Sequence, residues 1–238
     1  MIGASILYQS SIPINEKIEI VLPTVGEVIK DEAHYYGLIS AMTAMPIDMM
    51  VQLEDVGIDF TQIDEYQLFM LMFAGFKDQD THLVFGDLDL SRFERGINTQ
   101  NGEIVLYDEE NDIAIDKAIY NQIADTLRQI HHLEKNYRKP GNQEAKEYLL
   151  KKERKRLNRR KNDPIRSQLE PLIIAMVNTE QYKYDFESTK SLSIYQFNES
   201  VRQVVKKTEY DNLMFGIYSG SINAKEINRD ELSWIAQK

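Results

Sequence analysis

The sequence predicts a mainly α protein with a minor antiparallel β component. Three observations predict it. Several stretches repeat apolar residues at helical spacing, and two short regions alternate strand-like runs with turn residues. Proline and glycine are sparse, 6 and 11 in 238 residues, which excludes wholesale disorder. At 42% hydrophobic, the chain can bury a sizeable core as one large domain or two small ones.

Residues 5–12 and 17–22 flank the turn-like Pro13-Ile14-Asn15-Glu16 and read as a β-hairpin. Pro23 ends its second strand, and Thr24 with Glu27 has capping-box spacing for a short helix. Residues 31–76 predict three helical pieces. Asp31 caps the first, which carries Tyr35, Leu38, Ile39 and Met42; Pro46 opens the second, which Gly57 ends. The third, 64–76, is apolar nearly all round and is expected at the centre. Between 82 and 116 the runs HLVF, RFERGIN, EIVLYD and DIAID, separated by Gly86, Asn101-Gly102 and Glu110-Asn111, predict a small antiparallel meander. A long helix follows on Ile119, Ile123, Leu127, Ile130 and Leu133. Lys139-Pro140-Gly141 breaks it, and a second helix spans about 142–162 until Pro164. Helices are then expected over 167–178, over about 193–207, and in a short piece ending near Trp234. An aromatic linker, QYKYDF, follows the first of these, and an aromatic stretch with a Gly216/Gly220 turn follows the second. The expected division is an N-terminal α+β part (1–140), a basic exposed helix or linker (141–166) and a C-terminal helical part (167–238).

Charge is the most uneven property of the chain. Residues 146–166 hold ten Lys or Arg against three acids, +7 within a chain of net charge −10. Such separation points to a face that meets something acidic, and the first reading is a solvated helix that docks on the acidic remainder of its own chain or of a neighbour. The candidate partner-binding residues are Lys151, Lys152, Arg154, Lys155, Arg156, Arg159, Arg160 and Lys161. A base-stacking surface needs aromatics, and Tyr148 is the only one in the run, so nucleic acid is the lesser expectation. The helix is too polar for a membrane-surface helix, and no stretch has the roughly 18–20 apolar residues of a membrane span. The N-terminus has neither the basic nor the apolar region of a signal peptide.

No residues form a trustworthy catalytic or metal motif, and no cofactor is expected. The chain has no Cys, which removes disulfides, thiolate zinc sites and a Cys nucleophile. Asp87-Leu88-Asp89-Leu90-Ser91 begins like a calcium loop, but Arg92 stands where that loop needs Gly and Asn98 where it needs a bidentate Glu. The acids from Asp108 to Asp112 read as a hairpin turn. His131 and His132 are adjacent, so on a helix they diverge by about 100° and cannot chelate one ion together; His34 and His82 lack motif partners. Ser219-Gly220-Ser221 reads as a turn. The methionines of the first third (Met42, Met45, Met49, Met50, Met70 and Met72) read first as core filler and second as an adaptable binding surface.

Three stretches resemble a known group of proteins: IVLPTVGEVIKDEAHYYGLISAMTAMPIDMMVQLEDVGIDF (20–60), YQLFMLMF (66–73) and LSIYQFNESVRQVVKKTEYDNLMFGIYSGSINAKEINRDELSW (192–234). The shared features are the P-T-V-G-E-V-I segment, the L-x-I-Y-Q-F helix start and the G-I-Y-S-G turn before a polar helix ending in Trp. They are similar to tail and baseplate assembly proteins of tailed bacteriophages and of prophages in Gram-positive bacteria. The resemblance implies a non-enzymatic chaperone or scaffold for the tail tube or baseplate hub, with phage tail or baseplate proteins as partners; the charge separation, independently, allows head-to-tail self-association, the basic helix of one copy meeting the acidic surface of another. The lack of a signal peptide and of a membrane span makes the cytoplasm the expected location, which the resemblance makes that of a bacterial host, with the virion second. It assigns no functional residues. The alternative function is nucleic-acid binding through the basic helix 146–166.

Overall fold

The computed structural model describes residues 6–99, 102–164, 166–223, 227 and 233–235. The chain is mainly α with two small antiparallel sheets, as the pattern predicts. After a 3-10 turn at Ile6–Tyr8 comes the hairpin of β1 (Ser11–Pro13) and β2 (Glu19–Val21), with Ile12 opposite Ile20. Its first strand is shorter than expected because residues 6–8 coil instead. The Asn15 carboxamide oxygen closes the turn by accepting the amides of Lys17 and Ile18 at 2.9 and 2.8 Å. Thr24 and Glu27 then form the expected capping box at α1 (Val25–Val28).

The helical region is α2 (Glu32–Met42), a 3-10 turn from Pro46 leading into α3 (Met50–Asp55), and α4 (Glu65–Met72). Gly57, with φ +78°, ends the second piece. Helix α4 is central on three sides, with Leu68, Phe69 and Tyr66 buried, but Leu71 is 47% exposed. HLVF, expected as a strand, is instead α5 (His82–Phe85). Thr81 precedes it, Val84 and Phe85 turn inward, and Gly86 ends it at φ +58°. The meander therefore has three strands, β3 (Glu94–Ile97), β4 (Ile104–Asp108) and β5 (Ile113–Ile115).

Asp116 caps α6 (Lys117–His131), and His132, in the left-handed conformation at φ 52°, closes it. After a coil comes α7 (Gln143–Arg160). It is followed by α8 (Leu169–Val177), α9 (Phe186–Lys190) and α10 (Ile194–Tyr218). Helix α10 runs well past the expected stop near residue 207. The aromatic stretch and Gly216 lie inside it, and Ile222 folds back onto Gly216, where a Cβ would stand 2.5 Å from the Ile222 Cδ1. The expected last helix lies mostly outside the described residues.

One hydrophobic cluster runs from Ile18 to Phe197, so segments on both sides of α7 contribute to the same core. At its centre the Phe69 and Tyr120 rings stack, centroids 4.5 Å apart. The segments Pro23–Ile29 and Leu192–Phe197 meet in space. The Ile194 amide donates to the Pro23 carbonyl at 2.7 Å and the Val25 amide to the Leu192 carbonyl at 2.8 Å. The capping boxes of α1 and α10 are thus joined back to back. Gly26 allows this, since a Cβ there would lie 3.1 Å from the Lys190 carbonyl oxygen. Glu32 of α2 caps α8 in turn, accepting the Gln168 and Leu169 amides at 2.6 and 2.9 Å.

A second, smaller cluster holds Ala44, Ile47, Val51, Leu53, Phe60, Leu68 and Leu150, edged by Met45, Met49 and Met50. Between the clusters lies Arg128 of α6, 5% exposed. Its guanidinium donates to the Thr43 carbonyl and to Asp125, both at 2.8 Å, and lies 3.3 Å from Glu65. Lys135 completes the group, 2.9 Å from Asp125 and 3.3 Å from Glu65. A buried charge stripped of its partner is costly, so Arg128→Met should lose about 3–5 kcal/mol. The Glu65→Met/Arg128→Met double variant should recover most of that in urea unfolding.

Tyr35 places its hydroxyl 3.1 Å from His131 Nε2, and the Tyr36 ring packs beside it. Burial pushes His131 down to about 4, with the neighbouring His132 adding to the effect. An unfolded-chain histidine titrates near 6.5, so between pH about 6.5 and about 4 the unfolded state binds the extra proton. Stability from this group is present above that window and falls as pH drops through it. Urea midpoints of wild type and His131→Asn should therefore diverge less at pH 4.5 than at pH 7.

Candidate functional site

Helix α7 is built from strong helix formers, mostly Glu, Lys, Arg and Leu, with the Asn142 side chain capping its first turn. Only Leu150 is fully buried, at 6% exposed, and Leu157 is partly buried one heptad on; both pack on the second cluster beside α3. Two cations on the same side strengthen the seat. Lys146 lies 3.0 Å from Asp59 and 3.8 Å from Glu54, with its ammonium 5.6 Å from the Phe60 ring centre. Arg154 pairs with Asp55 at 2.5 Å. The helix is thus docked on acids of its own chain by one stripe.

The predicted partner-binding residues divide accordingly. Arg154 is engaged with Asp55, and Arg156 with Glu153 one turn back. Lys151, Lys152, Lys155, Arg159, Arg160 and Lys161 are exposed and make no ion pair among the described residues. At 100° per residue, Tyr148, Lys152, Lys155 and Arg159 line up roughly opposite Leu150. Tyr148 is 66% exposed. The outcome is a helix fixed in rotation, presenting one cationic row to solvent. The anchoring acids Glu54, Asp55 and Asp59 were not singled out from the sequence. The signal for them is the joint spacing of Lys146, Leu150, Arg154 and Leu157, which marks one stripe mixing apolar and cationic groups.

A second surface is its electrostatic opposite. A cleft of about 830 Å³ between the β1–β2 turn, the loop after α5 and the β4–β5 turn is lined by Glu16, Glu19, Asp87, Asp89 and Asp108, with Lys17 and Arg92. Asp108 is spent internally, accepting the Glu110 and Asn111 amides and the Asn111 side chain. The stretch that mimics a calcium loop is used for capping, with Asp89 accepting the Ser91 amide at 2.9 Å. His34 and His82, unpartnered in sequence, both meet Asp80, at its carbonyl (2.6 Å) and its carboxylate (2.7 Å). Among the described residues no group of three or more His, Asp or Glu is placed to hold a metal ion, and no helix is long and apolar enough to cross a membrane.

Residues 159–237 match the model of a family described as the YomV second domain, a phage- or prophage-associated name. The match points to a phage origin. It begins in the last turn of α7 and covers α8, α9 and α10, about a third of the chain. No curated protein and no solved structure matches the chain.

Asp59 is held down to about 2, first by the Thr61 amide and then by Lys146, so its contribution to seating α7 is present above about pH 4 and is lost as pH falls through about 2. Lys146→Met should raise the Asp59 pKa in a carboxyl NMR titration. Leu150→Ala should cost about 2–3 kcal/mol in urea unfolding, and Lys151→Ala no more than about 0.5 kcal/mol.

Proposed function

We propose that this chain is a non-enzymatic assembly factor for a phage tail or baseplate, acting through protein–protein contacts. The observation that carries the reading is the outward cationic row of α7, held in fixed orientation by a buried stripe on the other side. A preorganised row of like charge steers an acidic partner into register and makes the encounter fast and salt-sensitive. The phage-associated family match to residues 159–237 supports the setting, as does the resemblance of 20–60, 66–73 and 192–234 to tail and baseplate assembly proteins. Two features of that resemblance, Pro23–Ile29 and Leu192–Phe197, are structural joints, consistent with a scaffold whose shared residues maintain shape.

A second reading, nucleic-acid binding, is favoured by one observation: exposed Tyr148 shares the row with Lys152, Lys155 and Arg159, as in a cationic track with a stacking platform.

Co-expression with the tail and baseplate proteins of its own gene neighbourhood should recover a defined complex on a tagged chain. Lys152→Glu/Lys155→Glu/Arg159→Glu/Arg160→Glu should lower its yield at least about tenfold at low salt, given the number of charges reversed. Arg154 and Arg156 are left unchanged, because their reversal would disturb their pairs with Asp55 and Glu153. No tail or baseplate partner, together with a salt-dependent shift of DNA or RNA that the same variant abolishes, would overturn the assembly reading in favour of the second.

A further inference from the structure

The free cations of α7 and the acidic cleft are complementary surfaces on one chain. The row of Lys152, Lys155 and Arg159 is about 10 Å long at 1.5 Å of rise per residue. Lys151, Arg160 and Lys161 flank it, exposed and without ion-pair partners among the described residues. In the cleft both cations are already tied: Lys17 to Asp112 at 3.2 Å, and Arg92 to Glu110 at 2.8 Å and to Asp89 at 3.5 Å. Glu16 and Asp87 have no cation within pairing distance among the described residues, and Glu19 holds only the Ser11 hydroxyl, at 2.6 Å. An unspent carboxylate set thus faces solvent in a concave surface, while an unspent cationic set faces solvent on a convex helix. No ion pair joins the two within the chain among the described residues. Helix α7 sits on α3, and the cleft is formed by the β1–β2 and β4–β5 turns and the loop after α5.

We propose that the outward face of α7 docks into the acidic cleft of a second copy of this chain. The two surfaces differ, so the contact is heterologous. Each copy keeps one free cationic face and one free cleft, and association propagates head to tail instead of closing as a two-fold dimer. The pairs are solvent-exposed, so the contact is weak, strengthens at low ionic strength and is screened once the Debye length falls below about 10 Å, near 0.1 M salt. The proposal rests on reading α7 as a protein-binding face. It adds that the chain occupies that face itself until a more acidic partner displaces it.

Sedimentation velocity on the full chain tests this. At low salt the weight-average mass should climb with concentration beyond dimer, and at high salt it should return to monomer. Two charge-neutralised variants separate the surfaces: Lys152→Gln/Lys155→Gln/Arg159→Gln on the helix and Glu16→Gln/Glu19→Gln/Asp87→Asn in the cleft. All six positions are exposed, and near-UV circular dichroism should be unchanged. Each variant alone should stay monomeric. Mixed, they should form a 1:1 dimer that grows no further, because one working face remains on each. A monomeric wild type at low salt, association that survives either set of substitutions, or a mixture that does not dimerise would overturn the proposal. A monomeric wild type that still captures tail or baseplate proteins through α7 would overturn self-docking alone. A monomeric wild type that instead shifts nucleic acid through α7 would overturn both this and the assembly reading.

Discussion

Arg128 is a guanidinium taken almost wholly out of water, and it is tolerated only because three elements supply its partners. The end of α2 gives the Thr43 carbonyl, α4 gives Glu65, and α6 itself gives Asp125. Burying a charge costs several kcal/mol before any partner is found, so the group specifies one arrangement of these elements more than it adds net stability. Its position gives it reach. On one side lies the aromatic core around Phe69 and Tyr120, and on the other the methionine-edged cluster that receives α7. Lys135 extends the network into the coil after α6, which leads to Asn142 and the first turn of α7.

The functional face follows from this junction. A helix as polar as α7 has one stripe to bury, and the surface it finds is already framed with acids: Glu54, Asp55 and Asp59 around Val51, Leu53 and Phe60. Docking satisfies Lys146 and Arg154 and leaves the opposite side fully charged. The charge asymmetry of residues 146–166 is therefore divided by geometry into an internal part that orients the helix and an external part free to recruit. The acidic cleft has the converse division, with Asp108 and Asp89 spent on turns and Glu16 and Asp87 left to solvent.

Much of the architecture was legible because local rules decide it. The Thr24/Glu27 capping box and the apolar stripe of α6 needed no tertiary information. His82–Phe85 did, since a four-residue apolar run has no period, and its helical state comes from inward packing of Val84 and Phe85. The continuation of α10 through Gly216 ran against the usual reading of Gly as a helix end, and the packing of Ile222 where a side chain would stand is a contact that only the fold shows. Arg128 reads as an ordinary surface residue of an amphipathic helix, and only the convergence of α2 and α4 on it shows otherwise. The basic candidates were legible as a run. Their division into anchors and free cations was not, because it depends on acids about ninety to a hundred positions earlier in the chain.

An apolar stripe, aided by Lys146 and Arg154, fixes α7 on the body and thereby aims the cationic row. Amide hydrogen exchange across residues 147–158 measures this directly. Marked protection relative to the unstructured-chain rate is expected, retained at high salt because Leu150 and Leu157 provide the anchor. Exchange at the unstructured rate, or protection that salt alone abolishes, would contradict it.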